Sequence, residues 1–387
     1  MLWNDAFSPV RFTQLIFAGE ETTATTTTYA SVRWRGPFAG VPESNQSMRV
    51  RICDFYRMAR GDDGELRIAY NWMMLDVADF LRASGRRVLP KSASLPDEGW
   101  FQPPRAMDGV PAPLSAFTPP ESREASRAIA LRLLAAEWGW RGGAAEGVPA
   151  ADGAAAAEWR MDWSSSRALW TDDMLFYGPS GVGFAQGYEQ YADHVLAPLD
   201  AALAERRFEL DVVACEGAFC GAHGFVVGKH VGCYLGQWPQ KHVGGAEQAE
   251  GADDASIEQA GGLVRIRVGL HWHVVDGQVK DGYAFYDTPQ LFANAWNIDL
   301  FERAMSSGEL PPACPASPTL PGALVDSAER PSDPLRLLRP MWPTGLGYSM
   351  ALVGGVAVFS VATLGVAATS AIRPRASPST LAAPLLA

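Results

Sequence analysis

GKHVGCYLGQWP, residues 228–239, reads as a strand that runs into a glycine-spaced turn, and an altered copy stands much earlier as VRWRGPFAGVP, residues 32–42. Gly36 aligns with Gly232, Gly40 with Gly236, and a proline closes each copy. Two positions before the first glycine the later copy carries His230 and the earlier one Trp34. The match continues downstream. DFYRM, a turn and LRIAYNWMMLD (54–58 and 66–76) parallel HWHVV, a turn and QVKDGYAFYD (271–275 and 278–287). One antiparallel strand unit is therefore written twice.

Residues 10–90 are rich in Thr, aromatic and β-branched residues and alternate strictly in MRVRICDFYRM, which predicts strands. Strands are again predicted over 210–236 and 263–287. Helical spacing appears after the first strand block, in SREASRAIALRLLAAEW (122–138), GYEQYADHVLAPLDAALAERR (187–207) and TPQLFANAW (288–296). The first copy thus lacks the helices that precede the second. Proline-rich linkers occupy 91–124 and 305–344. The organisation expected is an incomplete strand half over 1–90, a complete α+β domain over 125–304, and a C-terminal segment.

The chain has 387 residues, 48% of them hydrophobic and 19% charged, which is ample for a sizeable core. A net charge of -11 argues against a nucleic-acid face, because backbone phosphates would be repelled. The five cysteines are scattered without metal-ligand spacing and read as free thiols in a reducing compartment. MLWNDAFSPVRF has no basic region followed by an apolar one, so no signal peptide is expected. From Pro340 to Ile372 no residue is charged, and the apolar run exceeds the roughly 20 residues a bilayer core requires. A single transmembrane helix over 345–372 is expected, tail-anchored, with the folded part in the cytosol. Arginines flank it on both sides (Arg336 and Arg339, Arg373 and Arg375), so charge asymmetry does not orient it.

LFYGPSGVGFAQGYEQYADHVLAPL (175–199), then GKHVGCYLGQWP, then a strand ending in GYAFYD (282–287), resembles the SnoaL-like polyketide cyclases. The resemblance implies an NTF2-like cone, with helices packed into a curved antiparallel sheet around a pocket. It covers 125–304 as a full copy and about 10–90 as a strand half. It also implies intramolecular aldol chemistry on polyketide esters by an acid/base carboxylate, without metal or cofactor. The family's acid/base aspartate falls at Asp287.

Strand parity bears on the site independently. In QVKDGYAFYD, strict alternation puts Tyr283, Phe285 and Asp287 on one face, where a carboxyl among aromatics would have a raised pKa suited to proton transfer. Asp287 before Thr-Pro is equally a good N-cap for the helix that follows. On the GKHVG strand, His230 and Tyr234 share a face with Ala222, Gly224, Val226 and Gly228, either as polar handles in a vacancy or with His230 as a hydrogen-bonded core residue. Tyr177 is expected at the pocket mouth. His194, which matches a histidine on the family's pocket helix, is expected as pocket lining or core. His271 and His273 point away from the apolar face of Val264, Ile266, Val268, Leu270, Trp272 and Val274, to solvent or to a packed partner sheet. GPSGVG lacks the Lys-Ser/Thr ending of a phosphate loop. Trp34 fills the space that His230 and its glycines leave open, so the first copy reads as scaffold.

These readings lead to one expectation. A cofactor-independent cyclase or isomerase would act on a small apolar, enolisable molecule, with Asp287 moving the proton and His230 and Tyr234 holding the enolate oxygen. A non-catalytic binding or scaffolding module is the alternative. The two copies would pair within the chain, or the second with another copy of itself.

Overall fold

In a computed structural model of the chain, the residues described are 3–90, 120–142, 163–237, 239, 262–306 and 314. The first copy folds as a four-stranded antiparallel sheet in sequence order: β1 (Phe7–Glu20), β2 (Thr23–Trp34), β3 (Ser47–Arg60) and β4 (Leu66–Leu75). One helical turn, α1 (Trp3–Ala6), precedes it, and α2 (Val77–Ala83) follows. The threonine run 25–28 at the centre of β2 is what a buried, pleated surface selects.

The second copy opens with α3 (Pro120–Leu133), which continues as a wider turn through Leu134–Trp138. After α4 (Trp163–Arg167) come β5 (Trp170–Tyr177) and β6 (Phe184–Gln186). A helix in three parts then runs through α5 (Tyr188–Tyr191), a π-type turn (Ala192–Leu196) and α6 (Ala197–Ala202). Four long strands complete the sheet: β7 (Leu203–Glu216), β8 (Phe219–His230), β9 (Leu263–Val275) and β10 (Gln278–Tyr286), before α7 (Thr288–Trp296) and α8 (Leu300–Met305). The sheet order is β6-β5-β10-β9-β8-β7. β7 to β10 repeat β1 to β4, while β5 lies parallel to β10 and β6 antiparallel to β5. A mostly antiparallel sheet with helices against one face is an α+β arrangement.

The repeat holds at single-residue level. The amides of Arg35 and Gly36 donate to the Ala6 carbonyl at 2.7 and 3.1 Å, and those of Val231 and Gly232 to Ala202 at 2.8 and 3.3 Å. A side chain at Gly36 would sit 2.7 Å from the Asp5 carbonyl, and one at Gly232 would run into that of Ala201. The shared glycine is therefore required by the close passage of the helix end. In both turns the two central residues have positive φ, Ala39 and Gly40 at 49° and 82°, Leu235 and Gly236 at 48° and 76°. Such a turn explains the second glycine. Asp76 caps α2 by accepting from the Asp79 amide as Asp287 caps α7 by accepting from Gln290. α1 therefore corresponds to the last turn of α6, and the described part of the first copy is a strand half.

The two sheets pack face to face, β1 and β2 against β7 and β8, and β4 against β10. Gly221 and Gly269 make room. A side chain at Gly221 would meet Thr25 at 2.5 Å, and one at Gly269 would meet Cys53 and Met74 at 2.6 Å. The other face of the second sheet (Cys220, Ala222, Val226, Ile266, Leu270, Trp272, Tyr286) joins the helices in the main core. His271 lies in the layer between sheets, as the alternation in β9 predicts. The Thr25 hydroxyl donates to the Asp54 carbonyl and lies 2.5 Å from His271 Nε2.

Several expectations are corrected. Parity along β10 is broken by a register shift between Val279 and Asp281. Val279 joins the helix-side core, whereas Tyr283 and Phe285 point into the layer between sheets. Four cysteines are paired, Cys215–Cys220 across the β7–β8 hairpin and Cys233–Cys314 over 81 positions, leaving Cys53 as the buried free thiol. The expected linker 91–124 ends early, since α3 begins at Pro120. Among the described residues no helix is long and apolar enough to cross a membrane, and 345–372 lie outside those residues.

Candidate functional site

The helix-side face of the second sheet is closed by α3 and its extension, α5, α6 and α7. Along α3 the residues Ile129, Ala130, Leu133, Leu134, Glu137 and Trp138 repeat at helical spacing and face the core. The stripe thus carries a carboxyl into the interior. Glu137 is fully buried. Its Oε1 accepts from the Trp170 indole at 2.7 Å and its Oε2 from the Tyr191 hydroxyl at 2.8 Å. Burial pushes its pKa up to about 7, opposed by hydrogen bonds from Trp170, Tyr191 and Ser166 and by the charge of Arg206. A carboxyl that exchanges its proton near neutrality is what acid/base chemistry requires.

Around it the interior is aromatic and holds donors with spare capacity. The Tyr234 hydroxyl donates to Tyr286 at 3.0 Å. Arg206, almost fully buried, pairs with Asp200, yet its Nη1 has no hydrogen-bond partner. Burial raises the pKa of Glu137, Tyr234 and Tyr286, and the Arg206 cation opposes that rise at each. The indole nitrogens of Trp138 and Trp296 are likewise buried without partners. Native interiors seldom leave such donors bare, so each asks for a water or a ligand atom.

The residues singled out in the sequence separate into three places. His230 and Tyr234 line this interior. His230 sits edge-on to Trp296 with 6.2 Å between ring centroids, and neither ring nitrogen makes a hydrogen bond of good geometry. Burial lowers its pKa, with the backbone at Ala295 and Gly232 acting the other way. His194 lies in the π-type turn, half-buried, with its pKa lowered by burial. Tyr177, Tyr283 and Phe285 are elsewhere, in the layer between sheets. Tyr177 and Tyr283 stack at 4.9 Å, and Phe285 lies beneath the Arg51 guanidinium at 4.2 Å.

Asp287 occupies a third position. Its Oδ1 accepts from the Gln290 amide at 3.1 Å and its Oδ2 is 3.6 Å from Arg267. It stands at the rim, at the helix start, with both oxygens engaged. Sequence reasoning passed over Glu137, although one signal was present: it falls four residues after Leu133 on the apolar stripe of its helix. Among the described residues no group of His, Cys, Asp and Glu is arranged to hold a metal ion.

No protein-family model matches the chain, and no curated protein matches it. Solved structures similar to it do include SnoaL-like and NTF2-like proteins. A Jannaschia sp. CCS1 protein named for the SnoaL-like polyketide cyclases is 20% identical over 45% of this chain and 92% of that one, with a TM-score of 0.31. An LEH-like epoxide hydrolase of M. tuberculosis is 13% identical over 48% of this chain and 98% of that one, with a TM-score of 0.29. An NTF2-like protein of Burkholderia thailandensis E264 is 16% identical over 38% of this chain and 85% of that one, with a TM-score of 0.25. At these levels the likeness transfers no activity or residue role.

Proposed function

We propose that the second copy handles a small apolar, enolisable molecule by cofactor-independent acid/base chemistry, with Glu137 as the proton-transfer group. The observation that carries this reading is a fully buried carboxyl, held at a pKa of about 7 among aromatic side chains and donors. In its ionised form Glu137 would take a proton from the carbon beside a carbonyl. The electron pair left behind would move onto the carbonyl oxygen, and the unpartnered donors of Arg206 or His230 would hold the enolate until the proton returns or a ring-closing bond forms. Asp287, half-exposed and occupied as a cap, is the weaker candidate for that proton. A polyketide-like ester is the substrate class that fits this chemistry and the sequence motifs together.

The test is carbon-bound hydrogen exchange in D2O, followed by NMR on a panel of hydrophobic β-keto esters. Exchange should rise as pH passes about 7 and vanish in Glu137→Gln while persisting in Asp287→Asn. Undiminished exchange in Glu137→Gln overturns the assignment. A binding or scaffolding role is the second reading, favoured by one observation: both oxygens of Glu137 already have protein partners. Absence of exchange across the panel, with a ligand still retained, would support it.

We also propose that 345–372 anchors the chain in a membrane, on the strength of its uncharged apolar run. Deleting 341–387 should then release a pelleted protein into solution. A full chain that stays soluble refutes the anchor.

A further inference from the structure

Along the face of the first sheet that bears Arg51, the next row reads Arg11, Ser31, Arg49 straight across β1, β2 and β3. Arg33, opposite Ser47, stands on the same face one pair further on, diagonal to Arg49. Arg35 follows it. These four arginines, with Arg82 from α2, line a cavity of about 660 Å3. Ser31 and Ser47 add hydroxyls to its wall.

The charge arrangement is unusual for this chain. Its net charge is -11, yet the cavity carries five arginines and one carboxylate, Asp79, which is already paired with Arg82 at 2.7 Å. Arg11, Arg33, Arg35 and Arg49 are exposed, and among the described residues none has a carboxylate partner. Arg33 uses its Nε on the Asn45 carbonyl at 2.9 Å, which fixes the side chain and leaves its two terminal nitrogens available. A merely solvated face would intersperse both signs. Four like charges gathered around one concavity repel one another unless an anion sits among them. The volume falls within the range of small-molecule sites, whereas an extended polyanion would leave a flat or grooved footprint. Arginine forks match the paired oxygens of a phosphate, and several forks converging from three strands suit more than one negative charge.

We propose that this cleft is a binding site for a small, multiply charged phosphate compound, a phosphate ester or diphosphate, held by Arg11, Arg33, Arg35 and Arg49. The site lies wholly in the first copy and does not depend on the chemistry of the second. It gives the copy that lacks the buried histidine a ligand of its own.

The test is isothermal titration calorimetry of the full chain with inorganic pyrophosphate at low ionic strength, paired with thermal melts. Wild type should bind saturably at one site and melt higher with ligand present. Because a charge-assisted hydrogen bond is worth roughly a tenfold change in affinity, Arg33→Gln combined with Arg49→Gln should weaken binding about a hundredfold. Both side chains are exposed and repel their neighbours, so the ligand-free melting temperature of that variant should be no lower than that of wild type. Arg60→Gln, at the β3–β4 turn, should bind as wild type does. No saturable binding at millimolar pyrophosphate, or equal binding by the double variant, overturns the proposal. Duplex DNA or an acidic peptide that binds through these arginines while pyrophosphate does not would also overturn it.

Discussion

Replacing Arg51 with methionine removes the cation that joins the two sheets while keeping most of its aliphatic volume. Arg51 is fully buried, and its guanidinium crosses the layer between sheets to donate to the carbonyls of Gly178 at 2.5 Å, Tyr177 at 3.1 Å and Ala284 at 3.4 Å. It also covers the Phe285 ring and faces Asp76 and Asp79, whose pKa values it lowers against the larger effect of burial. Leaving the two nearer carbonyls unpaired costs roughly 1–3 kcal/mol each. Removing a buried charge from its partners costs about 3–5 kcal/mol in all, after the relief of the arginine's own desolvation. At roughly 2–4 °C per kcal/mol for a body of this size, the melting temperature should fall by about 10 °C. Differential scanning calorimetry reads this directly. The single transition should also broaden or split as the first sheet loses its hold on the second. A drop under about 2 °C with an unchanged single transition would refute the account of Arg51 as the link.

Three further outcomes follow from particular contacts. Glu137 has an ordinary value of 4.5 and a folded value of about 7, so the folded chain binds that proton more tightly than the unfolded chain does. Its contribution is fully present below about 4.5 and lost as pH rises through about 7; urea unfolding should show roughly 3 kcal/mol of it disappearing over that window, and Glu137→Gln should flatten the curve. Alkylation of denatured, unreduced protein should label Cys53 alone, and all five cysteines after reduction; losing the 81-position Cys233–Cys314 link should cost about 4 kcal/mol, against no change if those thiols are free. Gly221→Val should destabilise by roughly 1–3 kcal/mol, because the added carbon meets Thr25 across the sheets, and Thr25→Gly should restore part of the loss; an additive double variant would contradict the contact.

Legibility in the sequence tracked how local the cause was. The repeat could be read because Gly36 and Gly232 answer to the same nearby helix end, and Gly40 and Gly236 to the same turn. The apolar face of β9 could be read because nothing interrupts its alternation. β10 misled because a shift beside Lys280 changes the face of every later residue, and a bulge leaves no mark in so short a run. Asp287 gave two signals, and the structure shows the cap. Glu137 was overlooked because a glutamate in an alanine-rich helix usually faces solvent; its place on the stripe mattered more than its type. The cysteine pairs depended on which strands meet, Cys215 and Cys220 flanking a hairpin and Cys314 returning from a proline-rich stretch to Cys233. The arginine cleft was out of reach for a similar reason, since Arg11, Arg33 and Arg49 come together only once β1, β2 and β3 are in register.

The face-to-face packing of the sheets has a consequence for how the chain can evolve. A sheet surface filled by a second copy from solution is occupied only above some concentration, and both copies must then keep one sequence. Here the covering sheet is tethered, so its local concentration stays on the order of millimolar however dilute the protein is. It is encoded separately as well. A change at Trp34 or Arg51 therefore leaves His230 and Arg206 untouched. Each half can be selected for its own task, one for grip and charge, the other for a closed interior, while they remain a single heritable unit.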